Sequence, residues 1–117
     1  MEQKGIPFNV ADHITYAEGS VISKTLIDKG IGSITLFSFD ENQGLSEHTS
    51  PFDAVVHVLD GESRITIGGN KTNVKAGEMI IMPANVPHSL KAVSRFKMML
   101  IMIRAADEKS SSGPIAV

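Results

Sequence analysis

The sequence contains no cysteine, which removes disulfides, thiolate metal sites and thiol nucleophiles together. Long apolar runs are missing too. The longest, Met98 to Ile103, falls well short of the roughly 20 residues that a bilayer-spanning helix needs. The opening stretch, Met1 to Pro7, is polar and has no apolar core of the kind found in a secretory leader. Neither sign of charge dominates, since 11 Lys and Arg face 13 Asp and Glu for a net charge of −2. With acids and bases interspersed, no basic footprint for nucleic acid forms. These absences predict a cytoplasmic protein with neither nucleic-acid nor membrane partners. Capped helical periodicity is hard to find, and no internal repeat of fixed period is present. There is no Gly-x-Ser-x-Gly elbow and no glycine-rich phosphate loop ahead of a helix. Nothing in the spacing of Glu47 and Asp53 places that carboxylate pair in one cavity.

What the sequence does have is period-two alternation punctuated by turns. Val21 to Ile27 reads as a strand stopped by Asp28-Lys29-Gly30, and Ile34 to Phe39 as one stopped by Asp40 to Gly44. Ala54 to Leu59 ends at Asp60-Gly61, a pair suited to a tight turn. Arg64 to Ile67 and Thr72 to Val74 flank Gly68-Gly69-Asn70 as a hairpin, and Lys75 to Glu78 forms another turn before Met79 to Met82. Pro87 to Leu90 and Phe96 to Ile103 complete the series. Short strands at this spacing predict an all-β sandwich or barrel. One domain over 1–106 is expected, followed by a polar, Ser-rich, loose tail at 107–117. Phe37, Phe39, Phe52 and Phe96 are core or rim candidates.

Two segments carry a family resemblance. The first runs from Gly44 through His48, Ser50 and Ala54 to Gly61, and the second from Gly77 through Pro83 and Asn85 to His88. Together they resemble the two motifs of the cupins, the first of which reads Gly, His-x-His, Glu, Gly and the second Gly-Asp, Pro-x-Gly, His. The resemblance implies an antiparallel double-sheet jelly-roll β-barrel enclosing a small cavity, and a homodimer. Outward apolar residues such as Val55 favour the same assembly.

In metal-binding cupins two His and one Glu from the first motif join one His from the second around a divalent ion. His48 and His88 match two of these four positions, while Ser50 and Ala54 occupy the second His and the Glu positions. The expected metal ligands are therefore His48 and His88, with Zn, Ni, Cu, Fe or Mn as possible ions. Two imidazoles favour zinc, nickel or copper. Asn85 replaces the glycine of the second motif, a mild change because Asn tolerates left-handed backbone angles. If the strand from 48 to 58 runs regularly, residues 48, 50, 54, 56 and 58 share the cavity side, and Asp53 and His57 point away. A bulge at Pro51 is the one device that would re-aim Asp53. His57 is then a histidine packed against the N-terminal strands or a second subunit, with a third ligand or a pH-sensitive interface contact as its functional alternatives, and His13 a surface residue.

Ser50, Ala54, Met82 and Met98 are the expected cavity lining. The methionines at 79, 82, 98, 99 and 102 serve either as core filling or as a soft pocket surface. Two functions stay open. One is a module that binds a small molecule in the barrel without turnover, over a degenerate two-His metal site. The other is a metal-dependent enzyme of the dioxygenase, isomerase or lyase kind, with His48 and His88 holding the ion and Ser50 its water. A purely structural protein, by contrast, predicts a filled barrel.

Overall fold

The computed structural model describes residues 4–104, so the tail expected at 107–117 lies outside the described residues. Nine strands follow one short 3-10 turn at Ala11–His13: β1 (Val21–Lys29), β2 (Gly32–Phe39), β3 (Gly44–His48), β4 (Phe52–Asp60), β5 (Glu62–Ile67), β6 (Asn70–Lys75), β7 (Met79–Met82), β8 (His88–Ala92) and β9 (Phe96–Arg104). They form a five-stranded sheet in the order β1-β2-β9-β4-β7 and a four-stranded sheet in the order β3-β8-β5-β6. All pairings are antiparallel. This is the all-β barrel expected from the strand pattern, in the double-sheet jelly-roll form that the resemblance implies.

The alternation read from the sequence sets the two faces. In β4, Ala54, Val56 and Val58 are buried, while Val55, His57 and Leu59 are half-buried on the opposite face. Register places Val56 beside Leu100 and Val58 beside Met98, so β9 contributes the same inner layer. Phe39 and Phe96 are register partners at the end of β2 and β9. Their rings stack in parallel with centroids 4.3 Å apart, and both are fully buried. Ile65 and Leu90 close the core from the smaller sheet. At roughly 25 cal/mol per Å2 of apolar area, each such side chain contributes about 2 kcal/mol.

Several strand boundaries differ from the sequence expectation. β1 runs on to Lys29, through residues expected to stop it, because it pairs with β2 down to Gly32. A separate strand, β3, occupies Gly44–His48 and pairs with β8. The chain between 48 and 58 is thus not one regular strand. It breaks at 49–51 around Pro51, whose missing N–H cannot serve a ladder, and His48 and Ala54 end up in opposite sheets.

The N-terminal segment lies over the outer face of the five-stranded sheet. Phe8 and Val10 share a groove there with Leu26, Ile34 and Met99, and Ile14 is buried. Its backbone is tied down by side chains from the strands. Lys97 Nζ donates to the Ala11 carbonyl (2.6 Å), Lys24 Nζ to that of His13 (3.0 Å), and Ser38 Oγ to that of Thr15 (2.8 Å). Against the surface expectation, His13 is half-buried, with its ring 4.6 Å from that of Phe8. Tyr16 donates its hydroxyl to Asp60 and carries Arg95 and Lys97 over its ring. Burial first, and then the Asp60 carboxylate, push the Tyr16 phenol above its usual range.

Gly61 joins β4 to β5 and carries the chain from one sheet to the other in a single residue. Its φ of +75° suits glycine, and a Cβ there overlaps the carbonyl of Arg95 on the β8–β9 turn. Backbone overlap cannot be relieved by a rotamer change. Gly61→Ala is therefore expected to destabilise the fold by at least about 2 kcal/mol, measured as a lower denaturant midpoint at unchanged slope.

Asp40 clamps the end of β2 to both the N-terminal segment, a strap across the outer face that ends at Gly19 and Ser20, and the β8–β9 turn. Its carboxylate accepts from Arg95 Nε (2.7 Å) and from the backbone N–H of Gly19 (2.6 Å) and Glu41 (2.8 Å). The Arg95 hydrogen bond, followed by those two N–H groups, lowers its pKa from 3.8 to about 2. A depressed carboxylate stabilises the fold above its unfolded pKa, and that contribution fades as pH falls through the folded value. Stability is expected to drop as pH falls from about 3.8 to about 2. Asp40→Asn is expected to lose the contribution at neutral pH and to show a flatter dependence in that acid window.

Candidate functional site

The site grows from one cross-strand pair. His48 at the end of β3 and His88 at the start of β8 are register partners across the smaller sheet, beside an irregularity between Leu45 and His48. Their side chains meet edge to face, with ring centroids 4.4 Å apart at 70°. Each ring is anchored within its own segment. His48 Nδ1 donates to the Ser46 carbonyl (2.8 Å) and His88 Nδ1 to the Val86 carbonyl (3.1 Å). A carbonyl oxygen only accepts, so Nδ1 carries the hydrogen in both rings. Nε2 is left as the free nitrogen of each, with its lone pair available in the neutral ring. His88 is buried, whereas His48 is exposed and forms the mouth.

Behind the pair opens a cavity of about 150 Å3. His48, Ser50, Ala54, Met82, His88 and Met98, the six residues picked from the sequence, all line it. Leu45, Leu90 and Leu100 line it as well and were missed, and Met102, left open between core and pocket surface, lines it too. Leu45 lies on the unforeseen β3, and Met102 and Leu100 continue the alternation that had already marked Met98. Ala54 is registered between Met82 on β7 and Met102 on β9. Two thioether side chains therefore flank the position of the first motif's Glu.

The mouth is held by two loops laced together. Ser50 Oγ accepts from the Phe52 N–H (3.3 Å) across Pro51, and the Ser50 carbonyl accepts from the Asn85 N–H (2.8 Å). Asn85 sits at φ +65°, the left-handed conformation foreseen for it. Asp53 remains outside the cavity. Its Oδ1 accepts from the Ala84 N–H (2.9 Å) and so braces the loop that delivers His88. His57 lies on the outer face between Met79 and Met99, away from the cavity. Among the described residues, no carboxylate, lysine or arginine lines the cavity.

The family profile described as "Cupin domain" matches residues 35–104. The chain belongs to the cupin family. Solved structures agree. A conserved protein of unknown function from Streptococcus pyogenes is 33% identical with a TM-score of 0.83, over 88% of this chain and 90% of its own. A cupin 2 conserved barrel domain protein from Leptotrichia buccalis is 40% identical with a TM-score of 0.81, and this cupin covers 83% of its own length but only 47% of that chain. A cupin superfamily protein from Desulfitobacterium hafniense is 28% identical with a TM-score of 0.83, over 89% and 95% of the two chains. No curated protein matches the sequence.

Within the cupins, the donor set here departs from the one that holds a divalent ion. Ser50 and Ala54 stand at two of the four ligand positions. Among the described residues no three His, Cys, Asp or Glu side chains gather into a metal-holding group. A dication in this cavity would have two nitrogen donors and no anionic partner, so these residues do not fit the divalent ion of the family's full motif.

Proposed function

We propose that this cupin is a binding module that takes a small, largely apolar molecule into the barrel and does not turn it over. The observation that carries this reading is the cavity itself, about 150 Å3 of apolar space with two imidazoles at its opening. An apolar cavity of roughly this size accommodates a single six-membered ring. A ligand of that size would rest on Leu45, Leu90, Leu100 and the methionines, and would present one hydroxyl or acid group to the free Nε2 nitrogens. Thioether side chains adapt to irregular ligand outlines. A filled barrel, which a purely structural protein would have, is not what the lining describes. The metal-enzyme reading draws less support, because Ala54 leaves the dication without its anionic ligand and Ser50 without one of its imidazoles.

Metal-free protein is expected to show a raised melting temperature with some member of a panel of phenols and short-chain or aromatic acids. A ligand at a hundredfold excess over its Kd contributes about 2.7 kcal/mol. Ala54→Leu, which grows into the cavity, should abolish the shift while leaving the circular dichroism spectrum unchanged. A panel without any shift, or a shift that survives Ala54→Leu, would sink the proposal.

The same proposal makes the working unit a homodimer. Its support is the uncovered half of the five-stranded sheet's outer face, where Met79, Ile81 and Ile103 are 57, 62 and 55% exposed beside Val55 and Ile101. Apolar area of this kind suits an isologous interface. Sedimentation equilibrium is expected to give twice the chain mass, and Ile81→Glu to return it to the monomer. A monomeric wild-type protein at micromolar concentration contradicts this arrangement.

A further inference from the structure

We infer that the cavity is a Cu(I) site, held by the imidazoles of His48 and His88 and the thioethers of Met82 and Met102. The inference rests on the reading of the cavity as a binding site, and not on the identity of any organic ligand.

Three observations converge on it. First, both rings offer the same nitrogen. With each Nδ1 hydrogen committed to a carbonyl two residues earlier, the two Nε2 atoms are the available donors, on rings 4.4 Å apart. This is the second-shell arrangement that fixes ligand tautomers at metal sites. Secondly, where the divalent site needs a carboxylate there is Ala54, and its register neighbours on both sides are Met82 and Met102. All three side chains belong to the inner face and line the same cavity. Directly opposed residues in a sheet have Cβ atoms roughly 5 Å apart. The two methionine side chains therefore enter the cavity on either side of the space that alanine vacates. Met98 lies four residues further along β9, roughly 13 Å at the strand rise, and belongs to the core around Val58.

Thirdly, charge selects the oxidation state. All four donors are neutral, and among the described residues no acidic side chain lines the cavity. The nearest acidic candidate by sequence, Asp53, is turned outward to the Ala84 N–H. Ion desolvation cost rises with the square of the charge, so a monovalent ion pays about a quarter of what a dication pays in the same site. Thioethers are soft ligands that favour Cu(I) over zinc, manganese or iron. Two imidazoles and two thioethers around a monovalent soft ion satisfy both requirements without a counter-charge. His48, exposed at the mouth, gives the ion a route in.

The test is anaerobic titration of the metal-free protein with Cu(I) against the chromophoric chelator bicinchoninate, alongside Zn(II) titration and X-ray absorption of the copper complex. The expected result is a one-to-one Cu(I) complex with mixed nitrogen and sulfur scattering, bound far more tightly than Zn(II). Met82→Leu and Met102→Leu conserve volume and keep the fold. Each is expected to weaken Cu(I) at least roughly tenfold, the scale on which even outer-shell changes act. Met99→Leu, on the outer face, should change nothing. No complex, nitrogen-only scattering, tighter Zn(II), or full affinity in the Met82→Leu/Met102→Leu double variant would each overturn the inference. If copper fails while organic ligands still raise the melting temperature, the Cu(I) site falls and the binding module stands. If copper binds as stated and no organic ligand does, the site stands without that ligand.

Discussion

The structure depends on how little chain is spent in passing between its two sheets. β4 reaches β5 through Gly61 alone, β8 reaches β9 through three residues, and β3 reaches β4 through three more. Connections this short leave the sheets no freedom to slide over one another. The inner faces must meet in one register, which brings Ile65 and Leu90 of the smaller sheet into one core with Val56, Val58 and the stacked Phe39–Phe96 pair of the larger. Where the Gly61 backbone presses on the Arg95 carbonyl, the two crossings touch, so one corner constrains the other. The Asp40 clamp then fixes the β8–β9 turn to the end of β2 and to the strap over the outer face.

The site is a product of the same crossings. Because the chain breaks at 49–51, His48 faces His88 within the smaller sheet while Ala54 looks back from the larger one. The cavity is the gap between these two walls. An alanine where the family's motif has a glutamate does more than delete a ligand. It removes the anionic charge from a space otherwise walled by leucines and methionines, and what is left is a neutral, polarizable surface with two nitrogen lone pairs at its rim. On the proposed reading, that surface would suit uncharged or singly charged soft occupants better than a bare dication.

Much of this was legible in the residues. Alternation and turn residues located most strands, and motif spacing brought His48, Ser50, Ala54 and His88 to one place before any coordinates. Parity arguments failed at a specific point. They count faces along an uninterrupted strand, and Pro51 ends the ladder there, so residues 48 and 54 share a cavity across two sheets and not along one face. β3 was illegible because Gly44 reads as a stop and Glu47-His48-Thr49 is polar, its strand character coming only from pairing with β8. The bracing role of Asp53 had no local signal, since its partner Ala84 lies 31 residues further along. Met102 was left undecided between core filling and pocket surface, because composition and spacing alone do not separate the two roles.

The two imidazoles take their orientation from carbonyls two residues upstream in their own segments, Ser46 for one and Val86 for the other. Each ring is also steadied by the other, edge to face. Substitutions on the opposite wall, methionine to leucine or alanine to a larger side chain, leave these anchoring carbonyls in place. In such a barrel the capacity to bind is carried by two short peptides, and the choice of what is bound is left to the side chains across the gap. Selectivity can then change by single substitutions without the site having to be rebuilt.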